Sequence, residues 1–170
     1  TRPLASNLNF APGDVVPNLV TVGIGASGRV SLYNNAGTVD LVGDIVGYYS
    51  PVGGSYFHAV TPVRALDTRA GTGSPVARVG AQGVLGLTIA NANGVPAGAT
   101  GVVLNVTAVS PDASGYVTVY PAGVTRPLAS NLNFVPGDVV PNAVIVGIGT
   151  GGVVNLFNLS LIHISEPTRP

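Results

Sequence analysis

The chain of 170 residues contains no cysteine, no methionine and no tryptophan, and charged residues make up only 8% of it. Without cysteine, it has no disulfide framework, no thiolate nucleophile and no cysteine-ligated zinc or iron–sulfur centre. Lysine is also absent and the net charge is zero, so we expect no basic surface for nucleic acid. With only two histidines for other metals, we expect no metal site and no cofactor.

Long hydrophobic runs are missing as well. The 24 glycines and 14 prolines interrupt the apolar residues too often for long helices. No run approaches the ~18 apolar residues of a membrane-spanning helix, so we expect no membrane insertion. Hydrophobic residues still make up 46% of the chain, which is ample for a core.

One segment of the chain occurs twice. Thr1–Phe10, TRPLASNLNF, recurs unchanged as Thr125–Phe134, an offset of 124 residues. At this offset, Thr1–Asn34 (the N-terminal copy) and Thr125–Asn158 (the C-terminal copy) agree at 26 of 34 positions, and none of the next twelve positions match. The pattern predicts a window on a tandem array with a period of 124 residues.

This period divides the chain into parts. We interpret Thr1–Ser50 as the C-terminal part of one repeat unit, and Pro51–Ser55 as a linker. Tyr56–Asn158 is the next unit, truncated before its last strand. Residues 159–170 break the repeat abruptly, and LSLIHISEPTR within them resembles the translation of a transposase adapter used in sequencing libraries. We therefore interpret residues 159–170 as a non-native tail that makes no specific packing contribution.

Alternation of apolar and polar residues is the main secondary-structure signal. It predicts a hairpin in which Leu19–Ile24 pairs with Arg29–Tyr33 across a glycine-containing turn. In these segments the two copies differ at positions 19, 21, 29, 31 and 33 and agree at positions 20, 22, 24, 30 and 32, as expected for strands with one buried face. The side chains predicted to point inward are Val20, Val22, Ile24, Val30 and Leu32.

The rest of the chain predicts more short strands. A second hairpin is expected between Val102–Val109 and Tyr116–Tyr120. Short strands separated by turns indicate an all-β fold, an antiparallel β-sandwich or jelly roll built from hairpins. Further strands are predicted at Val39–Tyr49, Gly83–Ala90 and Leu128–Phe134.

Two nearly identical copies would compete for one place in such a sandwich. We expect Asn34–Ser50 to complete the sheets formed by Tyr56–Val124, because an apolar strand does not stay unpaired. The N-terminal copy leads directly into this strand, so connectivity favours it. The C-terminal copy is then left over, packing loosely or pairing with another molecule.

The densest polar motif is TPVRALDTR, which contains Arg64, Asp67 and Arg69. We group these residues with Asp44 as a structural polar cluster, because buried Asp and Arg are rare unless they are paired. The competing interpretation is a binding site for carboxylates or sugars, since arginine suits bidentate acceptors. Both interpretations remain open at this point.

Three tyrosines, Tyr33, Tyr116 and Tyr120, are weak candidates for stacking on a ligand. The alternative is that they only straddle core and solvent. No catalytic residue is predicted: Asp40 and Asp44 are four strand residues apart, about 13 Å, too far for a glycosidase pair. His58 lacks the G-x-S-x-G context of a serine hydrolase.

Taken together, TPVRALDTR, GVPAGATGVVLNVTAV, GYVTVYPAG, RPLASNLNF and LVGDIVGYYS resemble a tandem module in secreted proteins of high-GC Gram-positive bacteria. This resemblance implies secretion or display at the cell surface and an accessory role without a reaction. Two functions remain open. One is a structural or adhesive module that contacts neighbouring repeat units. The other is a carbohydrate- or cell-wall-binding module attached to an extracellular hydrolase.

Overall fold

The computed structural model describes residues 6–45, 47–48 and 54–160. In these residues it contains six strands, two short 3₁₀ segments and no helix that could cross a membrane. The all-β prediction is therefore confirmed. The strands are β1 Val84–Thr88, β2 Gly101–Val109, β3 Gly115–Pro121, β4 Leu132–Phe134, β5 Val139–Gly147 and β6 Val153–Ser160.

The strands form two antiparallel sheets. The larger sheet has the order β1-β6-β3-β4, and the smaller consists of β2 and β5. In the larger sheet, Leu156 of β6 lies between Leu85 of β1 and Val119 of β3. In the smaller sheet, Leu104 lies opposite Val144. The C-terminal copy thus supplies three of the six strands and contributes to both sheets.

The core brings side chains of both sheets together. Val144 of β5 and Val154 of β6 are 1% and 0% exposed, and they belong to the same apolar cluster as Val119. The counterparts of all five residues that the alternation predicts to point inward lie in or against this cluster. Those counterparts are Val144, Val146, Ile148, Val154 and Leu156.

Both predicted hairpins are wrong in their pairing. β2 and β3 were expected to pair with each other, yet β2 pairs with β5 and β3 pairs with β4 and β6. The second copy of the other hairpin behaves in the same way, because β5 and β6 belong to different sheets. Each connection therefore crosses from one sheet to the other. Alternation defines which face of a strand is buried, but it does not define which strand is its neighbour.

The N-terminal copy forms no strand in the described residues 6–45. Leu19–Ile24 and Arg29–Tyr33 are irregular, and so is Val39–Tyr49 wherever the structure describes it. The expectation that this copy would occupy the sheets is wrong, since the C-terminal copy occupies them instead. Val46 and Tyr49–Gly53, which include most of the predicted linker, lie outside the described residues.

The first two residues of the predicted tail take part in a sheet. Leu159 pairs with Tyr116, and Ser160 pairs with Gly115. A Cβ at Gly115 would overlap the Leu159 carbonyl group, so glycine permits this close approach. The expectation that the tail makes no packing contribution is therefore wrong for these two residues. Residues 161–170 lie outside the described part of the chain.

Candidate functional site

The TPVRALDTR segment brings a carboxylate and a guanidinium into direct contact. Asp67 Oδ1 accepts hydrogen bonds from the backbone N–H of Arg69 at 3.0 Å and from Arg69 Nε at 2.9 Å. Asp67 Oδ2 accepts a third from Arg69 Nη2 at 2.8 Å. The Asp67 side chain is 16% exposed and the Arg69 side chain is 64% exposed. The pair is thus bidentate, and the carboxylate is its more buried member.

This contact sets the protonation of both groups. Hydrogen bonds from the side chain and then the backbone of Arg69 hold the pKa of Asp67 well below its usual value of 3.8. The charges of Arg69 and Arg64 lower the pKa of Asp67 further, while partial burial opposes the shift. The hydrogen bond to Asp67 raises the pKa of Arg69. A carboxylate with so low a pKa is a poor proton acceptor at neutral pH.

The backbone around Asp67 is a compact, internally bonded loop. The Asp67 carbonyl accepts from the N–H groups of Ala70, Gly71 and Thr72 at 3.0–3.2 Å. The Asp67 N–H donates to the Thr72 carbonyl at 2.9 Å. Gly73 has φ +66°, and a Cβ there would overlap the Ala65 carbonyl oxygen. Asp67 therefore holds this loop together through both its side chain and its backbone.

The other two members of the predicted polar cluster lie differently. Arg64 is exposed, and its charge reaches Asp67 only as a through-space effect on the pKa of that carboxyl. Asp44 is also exposed, and the described part of the chain gives it no ion pair with Arg64 or Arg69. The structure therefore brings Asp67 and Arg69 together, and in the described residues Asp44 forms no ion pair with Arg64 or Arg69.

The three candidate tyrosines differ in exposure. Tyr120 on β3 is 7% exposed, and a ring buried to that extent has no free face for a ligand. Tyr116 on the same strand is half-buried, and Tyr33 in the N-terminal copy is 62% exposed. Tyr116 and Tyr33 are thus the candidates whose rings solvent can reach.

Sequence reasoning did not identify the role of the polar residues in the ASNLNF motif. Asn131 accepts a hydrogen bond from the Val119 N–H at 2.7 Å through Oδ1. Its backbone carbonyl accepts another from Asn142 Nδ2 at 2.6 Å. The Thr118 hydroxyl donates to the Ala129 carbonyl at 2.7 Å. These bonds tie the motif to β3 and β5. Their only sequence signal is the identity of the two copies at these asparagines.

A second contact that the sequence did not reveal joins Arg126 to Phe157. The guanidinium carbon lies 4.0 Å from the centre of the ring, within the range of a cation–π interaction. Arg126 Nη1 is buried and has no hydrogen-bond partner among the described residues. Thirty-one sequence positions separate the two residues, so no local pattern could have predicted the contact.

One depression in the described surface is open and has a volume of about 490 Å³. No charged side chain lines it. No group of three or more His, Cys, Asp or Glu that could hold a metal ion occurs in the residues that the structure describes. The lining residues are Val60, Thr61, Pro62, Val63, Asn93 and Gly94.

Comparisons with protein-family models, with curated proteins and with solved structures found no match for this chain.

Proposed function

We propose that the chain is a non-catalytic structural or adhesive repeat module of a secreted or cell-surface protein. The observation that carries the proposal is that the polar side chains of its motifs bind other groups of the same chain. Both carboxylate oxygens of Asp67 are engaged by Arg69, and the hydrogen bonds of Asn131 and Asn142 hold the ASNLNF motif against β3 and β5. The chemistry-bearing side chains of these motifs thus stabilise loops and strand connections. The partners of such a module are neighbouring repeat units.

The architecture that we propose for the complete unit is an antiparallel β-sandwich or jelly roll. Support comes from the shared core, in which Val119 of the four-stranded sheet and Val144 of the two-stranded sheet belong to one cluster. Packing two sheets face to face through one apolar layer is the defining feature of sandwiches. The resemblance to a tandem module of high-GC Gram-positive bacteria supports secretion and the accessory role.

The second candidate is a carbohydrate- or cell-wall-binding module attached to an extracellular hydrolase, with cell-wall polysaccharide as its ligand. The observation in its favour is that the rings of Tyr33 and Tyr116 are accessible. Aromatic faces of this kind are suited to stacking on apolar ligand faces. A sugar site also needs convergent polar groups, and the open depression beside Val60 offers few.

A binding assay separates the two functions. The full chain is incubated with insoluble peptidoglycan and with a glycan array, together with the variants Tyr116→Ala and Tyr33→Ala. A structural module gives no saturable binding in either assay. Saturable binding that is lost in Tyr116→Ala or Tyr33→Ala contradicts the structural proposal and supports the carbohydrate-binding one. Tyr116→Phe and Tyr33→Phe, which keep the rings, are the matched controls.

A further inference from the structure

The N-terminal copy exposes the apolar side chains that the C-terminal copy buries. Eight residues of the C-terminal copy are buried, and seven of them are identical in the N-terminal copy. The exception is Phe157, which is Tyr33 in the N-terminal copy. Five of the seven counterparts are exposed large hydrophobic residues: Phe10 at 46%, Val20 at 44%, Val22 at 62%, Val30 at 51% and Leu32 at 73%.

The first turn of the N-terminal copy already has the geometry of its packed counterpart. In the C-terminal copy, the Val135 N–H donates to Asp138 Oδ2 at 2.8 Å, and the Asp138 N–H donates to the Val135 carbonyl at 3.2 Å. In the N-terminal copy, the Ala11 N–H donates to Asp14 Oδ2 at 2.8 Å, and the Asp14 N–H donates to the Ala11 carbonyl at 3.1 Å. The turn is therefore formed without any sheet around it.

The glycine-rich turn is also the same in both copies. The Gly149 N–H donates to the Val153 carbonyl at 3.0 Å, and the Gly25 N–H donates to the Arg29 carbonyl at 2.8 Å. Each turn contains a three-residue 3₁₀ segment followed by a residue in extended conformation. The N-terminal copy is thus pre-organised for the course that β5 and β6 take. Pre-organisation lowers the cost of ordering on docking.

The C-terminal copy shows what covers these side chains. Its strands pair with β1, β2 and β3, the segment Val84–Pro121 that we call the body. β5 lies along β2, and β6 lies between β1 and β3. The body precedes the C-terminal copy directly, since Pro121 and Thr125 are separated by three residues. The body of this chain therefore pairs with the C-terminal copy. The N-terminal copy needs the same strand partners to cover its apolar side chains, and in the described residues it has none.

We propose that the N-terminal copy is a docking element for a second copy of the body, joined directly ahead of Thr1 as the present body is joined ahead of Thr125. The added body pairs with the N-terminal copy as β1–β3 pair with β4–β6. Seven shared buried residues, six of them apolar, and two pre-formed turns supply the match. The inference concerns how the copies assemble, and it holds whether or not the module binds a carbohydrate.

The test extends the full chain with a second body. Residues 54–124, which contain the body and its flanking residues, are fused ahead of Thr1, so that Val124 precedes Thr1 and the Val124–Thr125 junction is reproduced. The added body carries Gly86→Cys and the N-terminal copy carries Ser31→Cys, the counterpart of Asn155. Gly86 lies opposite Asn155 in β6, and a Cβ at Gly86 would lie 3.6 Å from Asn155 Oδ1. Because the chain has no cysteine of its own, an intramolecular disulfide can form only between these two introduced residues.

The expected result has two parts. Mild oxidation gives, in most molecules, an intramolecular disulfide that joins position 31 of the N-terminal copy to position 86 of the added body. Arg29 is exposed in the unextended chain. In the extended chain without the cysteine substitutions, tryptic cleavage after Arg29 slows at least about tenfold, because the N-terminal copy must separate from the added body before the bond is cut.

Two controls make the result specific. Ser27→Cys with Gly86→Cys places the thiol in the 3₁₀ segment of the glycine-rich turn, four residues before position 31 and outside the part of the copy that corresponds to β6, and it forms no disulfide. Val20→Asp with Val30→Asp restores rapid cleavage after Arg29 in the extended chain and abolishes the disulfide. The same two substitutions leave the unfolding of the unextended chain unchanged, since both residues are exposed there.

Three outcomes would overturn the proposal. The first is that extension gives neither the 31–86 disulfide nor slower cleavage after Arg29. The second is that Ser27→Cys reacts as readily as Ser31→Cys, which would indicate nonspecific collapse. The third is a disulfide found only between molecules, which would mean that a body from another chain, and not the one directly ahead, is the occupant.

Discussion

Residues 6–34 and their counterparts 130–158 contain the same turns, but in the described residues only the C-terminal copy pairs with other strands. Its Val144 and Val154 are almost completely buried, whereas Val20 and Val30 at the same positions are 44% and 51% exposed. The local hydrogen bonds of the two copies agree. The difference between order in a sheet and irregular structure thus comes from contacts between distant segments.

Small sequence differences favour the C-terminal copy in this competition. Val153 of β6 lies opposite Thr88, and the N-terminal copy has Arg29 at that position. Gly151 has φ +70°, and its counterpart Ser27 has φ +61°. Glycine adopts this left-handed region without the steric cost that a serine incurs. Each of these two differences is small, but both favour the C-terminal copy.

Connectivity favours the C-terminal copy more directly. Ten residues, 122–131, join β3 to β4, whereas 49 residues, 35–83, separate the N-terminal copy from Val84. Closing the longer loop costs about 1 kcal/mol more, because loop entropy grows with the logarithm of length. We expected connectivity to favour the N-terminal copy through a strand at Val39–Tyr49. The described residues of that segment form no strand, so this argument does not apply.

The largest contrast is expected from aspartate at the same position of each copy. Val154→Asp places a charge in a site that is 0% exposed and should cost about 3–5 kcal/mol of unfolding free energy. Val30→Asp, its matched control, should change stability by no more than about 0.5 kcal/mol. Urea unfolding followed by circular dichroism measures both. Equal costs for the two variants would show that the N-terminal copy is packed in the same way.

Removing a side chain tests the same contrast without a charge. Leu132 is 0% exposed, and Leu132→Ala should cost about 2–5 kcal/mol because it leaves a cavity. Leu8→Ala, at the corresponding and only partly buried position, should cost less than about 1 kcal/mol. Thermal unfolding of the two variants beside the unmodified chain is the measurement. A larger loss of stability for Leu8→Ala than for Leu132→Ala would mean that the N-terminal copy, and not the C-terminal copy, pairs with the body.

Several strands could be predicted because their signals are local. Alternation placed the second predicted hairpin at Val102–Val109 and Tyr116–Tyr120, and β2 and β3 occupy Gly101–Val109 and Gly115–Pro121. The period of two also identified the buried faces of β5 and β6 correctly. The Asp67–Arg69 pair was accessible to sequence reasoning for the same reason, since the residues are two positions apart.

The partners of the strands could not be predicted, because pairing depends on contacts between distant segments. The strand β6 is inserted between β1 and β3, which begin 69 and 38 residues before it. The N-terminal copy has almost the same sequence as the C-terminal copy. Which of the two pairs with the body therefore depends on loop length and a few side chains. The contact of Arg126 with Phe157 follows from the same arrangement and has no local signal.

Acid should lower the stability of the part of the molecule that contains the sheets, because it protonates Asp67. Its pKa is lower in the folded chain than in the unfolded chain, so the unfolded chain binds the proton more readily. The stabilisation is therefore fully present above about pH 4 and is lost as the pH falls toward the folded-state pKa. Melting temperatures measured from pH 7 to pH 2 should fall more steeply for the unmodified chain than for Asp67→Asn. Parallel curves would show that Asp67 does not contribute to the acid sensitivity.

The smallest effect is expected from exchanging the residues of the glycine-rich turn. Gly151→Ser puts a side chain at φ +70° inside the connection between β5 and β6, and it should cost about 1 kcal/mol. Ser27→Gly relieves the same conformation at φ +61° in the N-terminal copy. It should leave the unfolding free energy of the sheets unchanged, because the turn it relaxes is not joined to them. Urea unfolding of both single variants and the double variant is the measurement, and their effects should add, since the two turns belong to separate structures. A stabilisation of the sheets by Ser27→Gly would mean that the two copies exchange with each other on the body. Relaxing the turn of the N-terminal copy, the weaker competitor, would then shift the balance between the two copies.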